Sequence, residues 1–323
     1  MHIQKQDCIQ TPYGVFSGIA GGEADEGRRI TSLRLSARNC ILTHVGELIP
    51  YYKAVTPRRK EKPSVSFHPN GMIRTVYLEQ QQEIQTPIGE FPAECVTFYD
   101  TGELKRFFPQ YGKISGFWSE EDERELAIPF HFQLDCTEFT ARLSCVSFYK
   151  DGSIRSITLF PGESIRLQTP CAGIVQARNG FSLFQSGALR SWEPAVPTPL
   201  PTPVGRVTAY DTTAVGVQGD SGSVLLHEEG AVHALATSSD RLVVTGPDNA
   251  SAFFAPEEVP SPLADDATML VPLRLTFDAG TVQVTAAGAA QSFHREGNHF
   301  QVIPGSFGGC SPSECAGCTV CTH

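Results

Sequence analysis

The sequence predicts an all-β protein: repeated β-hairpins forming an extended or curved antiparallel sheet, followed by a flexible Cys-rich C-terminal tail. Three observations carry this expectation. One hairpin phrase recurs along most of the chain, and a second turn phrase, Thr-Pro-x-Gly, recurs beside it. The composition, with 29 Gly, 23 Pro and 20 Phe in 323 residues, favours strands and turns over helices.

The hairpin phrase is clearest at Cys145–Ile157. Val146 and Phe148 alternate with polar neighbours, Asp151-Gly152 is a turn dipeptide, and Ile154 restarts the apolar pattern. With the turn glycine as zero, the glycines are Gly46, Gly71, Gly102, Gly152, Gly187 and Gly230. Position −6 is then Cys40, Val65, Val96, Val146, Phe181 and Val224, and position −4 is Leu42, Phe67, Phe98, Phe148, Leu183 and Leu226. Position +2 is Leu48, Ile73, Leu104, Ile154, Leu189 and Val232, and position +5 is Tyr51, Val76, Phe107, Ile157, Trp192 and Leu235. Residues −6 and −4 share a strand face, because side chains alternate with period two. The glycine supplies the positive φ that three- to five-residue hairpin loops require. The step from +2 to +5 breaks strict alternation and predicts a β-bulge or a strand buried partly on both faces, with Arg74, Lys105, Arg155, Arg190 and His233 at +3 facing water. A single hairpin is marginal in water, so neighbouring copies are expected to pair or stack.

In order, the chain begins with the turn Thr11-Pro12-Tyr13-Gly14, a strand at Ile30–Leu35 and the first hairpin. Thr56–Pro63 is a basic loop read as a solvated connection, since Glu61 interrupts it and no Gly-rich cradle follows. Hairpins at 64–78 and 95–109 enclose a second Thr-Pro turn, Thr86–Gly89. The acidic run Ser119–Glu125 is expected to be a polar loop or short helix, and Ile128, Phe130, Phe132 and Leu134 alternate as a strand. Hairpins at 145–159 and 181–193 flank a loosened third turn copy, Thr169–Gly173. The sixth hairpin is at 224–237, residues 247–268 read as a long loop, and Leu273–Thr285 turns at Ala279-Gly280. Ser292–Gly297 faintly echoes Ser66–Gly71 as a degenerate last copy. The expected domains are a hairpin-repeat domain at 1–192, a second β lobe at 205–304 and a Gly/Cys-rich tail at 305–323. Between the lobes, 193–204 is a proline-rich connector, with five prolines within Glu193–Pro203.

Phe148–Arg155 and Phe98–Lys105 resemble bacterial MORN-type repeats, including the variant found in some antitoxin-like proteins. The resemblance implies hairpins aligned into one long twisted sheet that serves for docking. It covers about a dozen residues per copy, and the glycine spacings of 25, 31, 50, 35 and 43 residues depart from the family's tight period.

The net charge of −10 argues against nucleic acid, whose binding needs clustered Lys and Arg. There is no transmembrane run and no signal-peptide core, so the expected location is cytoplasmic. Ten Cys then read as thiols or metal ligands rather than a disulfide framework, and Cys8, Cys40, Cys95, Cys136, Cys145 and Cys171 as small buried hydrophobes. Chemistry concentrates in the tail, where Cys310, Cys315, Cys318, Cys321 and His323 give C-x4-C-x2-C-x2-C-x-H. Two-residue gaps let successive thiolates face one centre, so an iron–sulfur cluster of the [4Fe–4S] type is expected, with zinc as the alternative. Gly219-Asp220-Ser221-Gly222 is similar to the nucleophile loop of trypsin-like serine proteases. That family's Ala-Ala-His-Cys phrase is absent, and the residues after Ser221 fit the hairpin phrase in register. The function expected is a non-catalytic interaction scaffold for a protein partner with a metal-binding tail. The alternatives are a redox or metal-delivery protein using the tail and, behind it, a hydrolase at Ser221.

Overall fold

The computed structural model describes residues 1–59, 62–112, 114–214, 222–260 and 268–305. Strands make up 61% of the chain, in antiparallel sheets, and the one helix among the described residues is Glu120–Leu126. Ser119 caps that helix in a capping box with Asp122, which satisfies its first backbone donors. The chain forms two compact units. The first contains Met1–Ile165 and Arg178–Ala188; the second contains Arg166–Ala177 and the described residues from Leu189 to Gly305.

The hairpins around Gly71, Gly102, Gly152, Gly187 and Gly230 close in the same way. The N–H of residue −3 donates to the +1 carbonyl, and the glycine N–H donates back to the −3 carbonyl, at 2.7–3.1 Å in every copy. The glycine φ lies between 85° and 104°, the left-handed region that ends a type I turn and opens the second strand. Phe67 pairs with Ile73 but Ser66 with Thr75, which leaves Arg74 as the extra residue of a β-bulge. The same shift singles out Lys105, Arg155 and His233. In these four hairpins the bulge keeps both +2 and +5 on the buried side, and all twenty positions −6, −4, +2 and +5 of the five hairpins are buried.

In the first unit, backbone pairing lines these residues into a transverse apolar row: Leu33, Val65, Val76, Val96, Phe107, Val146, Ile157 and Phe181. Beside it runs a polar row on the opposite face, Ser32, Ser66, Thr75, Thr97, Arg106, Ser147, Ser156 and Ser182. In the second unit the apolar row is Trp192, Val224, Leu235, Leu275 and Val284. Burying one such side chain stabilises by about 1.5–3 kcal/mol, so the apolar rows hold each sheet together.

The Gly46 segment departs from the expected register. Cys40 and Leu42 are exposed, Leu42 by 76%, while Ile41, Val45 and Leu48 are buried. It belongs instead with the Thr-Pro-x-Gly turns. The Thr43 hydroxyl donates to the Gly46 carbonyl at 2.8 Å and accepts from the Val45 N–H at 3.3 Å. Thr11, Thr86 and Thr202 make the same two bonds in their own turns, and Thr169 a one-residue-longer version. A slip of one residue exchanges strand faces, so the Gly46 copy turns its Leu42 outward.

Within the proline-rich stretch, Thr198–Thr202 pairs with Gly205–Ala209, and Leu200 is fully buried. Other expectations are also corrected. Within 247–268, Ser251–Phe254 pairs with Arg241–Thr245 and Glu257–Pro260 pairs with Thr268–Val271, where a loop was expected. Cys95, Cys136 and Cys145 are buried as expected, whereas Cys8 and Cys40 are exposed and Cys171 is intermediate.

Candidate functional site

Cys310, Cys315, Cys318 and Cys321, together with His323, lie outside the described residues, as does Ser221. Next to Ser221, the chain has a structural explanation. Ser223 donates through its hydroxyl to the buried Glu193 carboxylate at 2.7 Å, and its N–H donates to the same group at 2.9 Å. A side chain at Gly222 would collide with the Trp192 carbonyl. Among the described residues no group of three or more His, Cys, Asp or Glu side chains is arranged to hold a metal ion. Nor is any helix there long and apolar enough to cross a membrane.

In the basic loop at 56–63, expected to be a solvated connection, Arg58 and Arg59 are half-buried against carboxylates. Arg58 lies between two buried carboxylates. Its Nη1 and Nη2 reach Glu94 at 2.8 and 2.9 Å, while Nε and Nη2 reach Glu123 at 2.8 and 2.7 Å. Trp118 Nε1 and the Gly112 N–H complete the Glu123 shell, and the Tyr111 N–H donates to Glu94. Burial pushes the Glu123 carboxyl up, but the bonds from Arg58 and Trp118 outweigh it and hold the pKa below the ordinary value. Removing one partner of such a buried set costs about 3–5 kcal/mol, because a charge is left behind without a counter-charge. Beside it, Tyr51, Arg59, Lys62, Tyr77 and Tyr111 enclose a cavity of about 30 Å³. The Lys62 ammonium sits 3.9 Å from the Tyr111 ring centroid, and burial pushes its pKa down. A space that small holds about one water and no substrate, so the cluster anchors two chain excursions to the sheet.

Room for a ligand lies at the turns of the first unit. Pro12, at a Thr-Pro-x-Gly tip, packs toward Gly71, and Pro87 packs toward Gly152. Each tip therefore lies against a hairpin turn, and clefts open beside the contacts. One of about 460 Å³ is lined by Pro12, Arg28, Arg29, Ile30, Phe67 and Asn70. Another of about 490 Å³ is lined by Tyr13, Leu42, His44, Met72, Phe98 and Glu103. The two are equivalent in construction, for Phe67 and Phe98 both occupy position −4 and form the apolar floor. In the second cleft His44 stands where the other tips carry proline, its ring edge-on to Phe98 at 5.8 Å. Tyr13 is held by the Ile73 N–H, which donates to its hydroxyl at 3.2 Å. The first cleft is rimmed by arginine, the second by Glu103 and the protruding Leu42. From sequence the recurring tips, Pro12 and Tyr13 among them, read as connectors or as a row of loops able to form a binding rim, but their partners in the clefts do not emerge, because each cleft joins a tip to a turn at least 55 residues away. The one usable signal was the recurrence of the tips themselves.

No known protein-family model matches the chain, nor does any curated protein or solved structure.

Proposed function

We propose that the chain is a non-catalytic interaction scaffold whose first unit docks a protein partner in the clefts between Thr-x-x-Gly tips and hairpin turns. A tail metal site at Cys310, Cys315, Cys318 and Cys321 holds an iron–sulfur cluster or zinc. The observation that carries the docking reading is the pair of equivalently built clefts, each with a phenylalanine floor and a rim of different charge. Apolar floors with few polar groups at the rim are the usual make-up of recognition sites, and the exposed Leu42 gives the rim an apolar contact. The tail reading rests on cysteine spacing alone.

Docking is tested with peptides selected by display against the full chain. The selected peptide should bind the Leu42→Asp variant at least about tenfold more weakly, as loss of a central apolar contact gives. The Val196→Asp variant, changed at an exposed position in the second unit, should bind it equally well. Equal binding by Leu42→Asp overturns the reading. So does hydrolysis of any peptide that is lost in Ser221→Ala. For the tail, protein purified without oxygen should show sulfur-to-metal absorption that disappears when the four tail cysteines become serine. An unchanged spectrum overturns that part.

A further inference from the structure

The hairpin around Gly230 departs from its equivalents at +3, where the others carry Arg or Lys and it carries His233. In two of them, residues −3 and +3 pair a ring with a cation: the Lys105 ammonium lies 5.4 Å from the Tyr99 centroid, and the Arg155 guanidinium 6.0 Å from that of Tyr149. Around Gly230 both positions are histidine. The His227 and His233 rings lie 4.5 Å apart, tilted by 66°. His233 is the bulge residue: Leu226 pairs with Val232 and Leu225 with Ala234, so its side chain is set beside that of His227.

Four lone-pair atoms gather there. His233 Nδ1 is 3.3 Å from His227 Nε2, the Phe277 carbonyl oxygen is 3.2 Å from His227 Nε2, and Asp278 Oδ1 is 3.7 Å from His233 Nδ1. Protons serve this set poorly. A proton on His227 Nε2 must be divided between the Phe277 carbonyl and His233; a proton on His233 Nδ1 leaves Nε2 facing the carbonyl with no hydrogen between them. A cation meets every atom at once. Two ligands about 2.0–2.1 Å from a tetrahedral ion stand roughly 3.3–3.4 Å apart. The two ring nitrogens already have that separation.

We propose that His227 and His233 bind a divalent transition-metal ion of the zinc class, with Asp278 as the third ligand. Imidazole nitrogens select such ions over calcium or magnesium, and two imidazoles with one carboxylate leave a coordination position for water. Asp278 is 60% exposed and stands at the end of the strand Leu273–Asp278, free to rotate onto the ion, which explains why three ligands do not converge beforehand. The site supplies by metal the positive charge that Lys105 and Arg155 supply in the equivalent hairpins. It lies wholly in the second unit and does not depend on the tail cysteines or on docking in the first unit.

The test uses the 323-residue chain with Cys310, Cys315, Cys318 and Cys321 changed to serine, stripped of metal. Cobalt titration should give visible d–d bands of a nitrogen–oxygen site without sulfur charge transfer, saturating at one equivalent, and zinc should displace the cobalt. His227→Gln and His233→Gln should each weaken binding at least about tenfold, and Asp278→Asn by a smaller factor. Unchanged melting of the metal-free variants separates lost ligands from lost fold, and Asp278→Asn, altered only at an exposed side chain, gives an independent reading. Absence of saturable binding up to millimolar cobalt overturns the proposal, as does binding that both histidine variants retain in full.

Discussion

The hairpins around Gly152 and Gly230 share a backbone and differ in chemistry. Both bury the residues at −6, −4, +2 and +5, both hold glycine near φ 90°, and both carry a bulge at +3. At −3, Tyr149 donates its hydroxyl to the Leu183 carbonyl at 2.9 Å, stitching its hairpin to the next strand. Tyr99 does the same to Phe148, His68 Nε2 to Phe98, and His227 Nε2 lies in the corresponding place at Phe277. The buried positions are therefore fixed by the sheet, while −3 and +3 vary without changing the fold. That freedom is what lets one hairpin present a ring and a guanidinium and the other two imidazoles.

The largest effects test the shared part. Phe148→Ala, which removes a fully buried ring stacked on Phe107, should destabilise by about 3–5 kcal/mol. Leu226→Ala, its equivalent, should cost about 2–5 kcal/mol in chemical denaturation. A loss below about 1 kcal/mol in either would break the equivalence of the two hairpins. Next come the turn glycines. Gly152→Ala and Gly230→Ala each force a side chain into the left-handed region, at about 1–2 kcal/mol. The Gly230 variant should lose more, because Pro170 closes on that position more tightly than Pro87 does on Gly152. The reverse order of melting temperatures would show that the proline contacts are irrelevant.

Smaller changes sharpen the difference. Tyr149→Phe removes one hydrogen bond to Leu183 and should cost about 0.5–1.5 kcal/mol; Phe184, which lacks a hydroxyl at the same position of the next hairpin, shows that the bond is not essential to the turn. No measurable loss would make the hydroxyl incidental. Asp151 gives the smallest effect. Hydrogen bonds from the Ser153 and Gln185 side chains hold its pKa down to about 2. Its folded-state pKa is depressed, so its contribution is present above the ordinary aspartate range and is lost as pH falls toward 2. Asp151→Asn should flatten stability against pH in that window, and an unchanged slope would remove Asp151 from the turn's account.

Much of this was legible because it is local. The −6, −4, +2, +5 pattern with its bulge follows from side-chain alternation and a glycine in the left-handed region, and both can be read within a dozen residues. Gly46 was misread for the same reason. Ile41–Gly46 has apolar residues and a glycine at plausible spacing for either turn, and only the Thr43 hydroxyl bonds, seen in three dimensions, separate the two. Arg58 looked solvated because its partners, Glu94 and Glu123, are 36 and 65 residues away. The tail cysteines were the sequence's own choice of site, and their spacing remains the argument for them.

By itself, then, the sequence determined a chain of antiparallel hairpins: periodicity and turn chemistry act over short range and leave the backbone few alternatives. The tertiary structure decided which turns lie against which tips, that Arg58 is held between Glu94 and Glu123, and that His233 stands beside His227 with Asp278 near. Those contacts join residues that a bulge or a long loop brings together, and their energies depend on distances that no local pattern encodes.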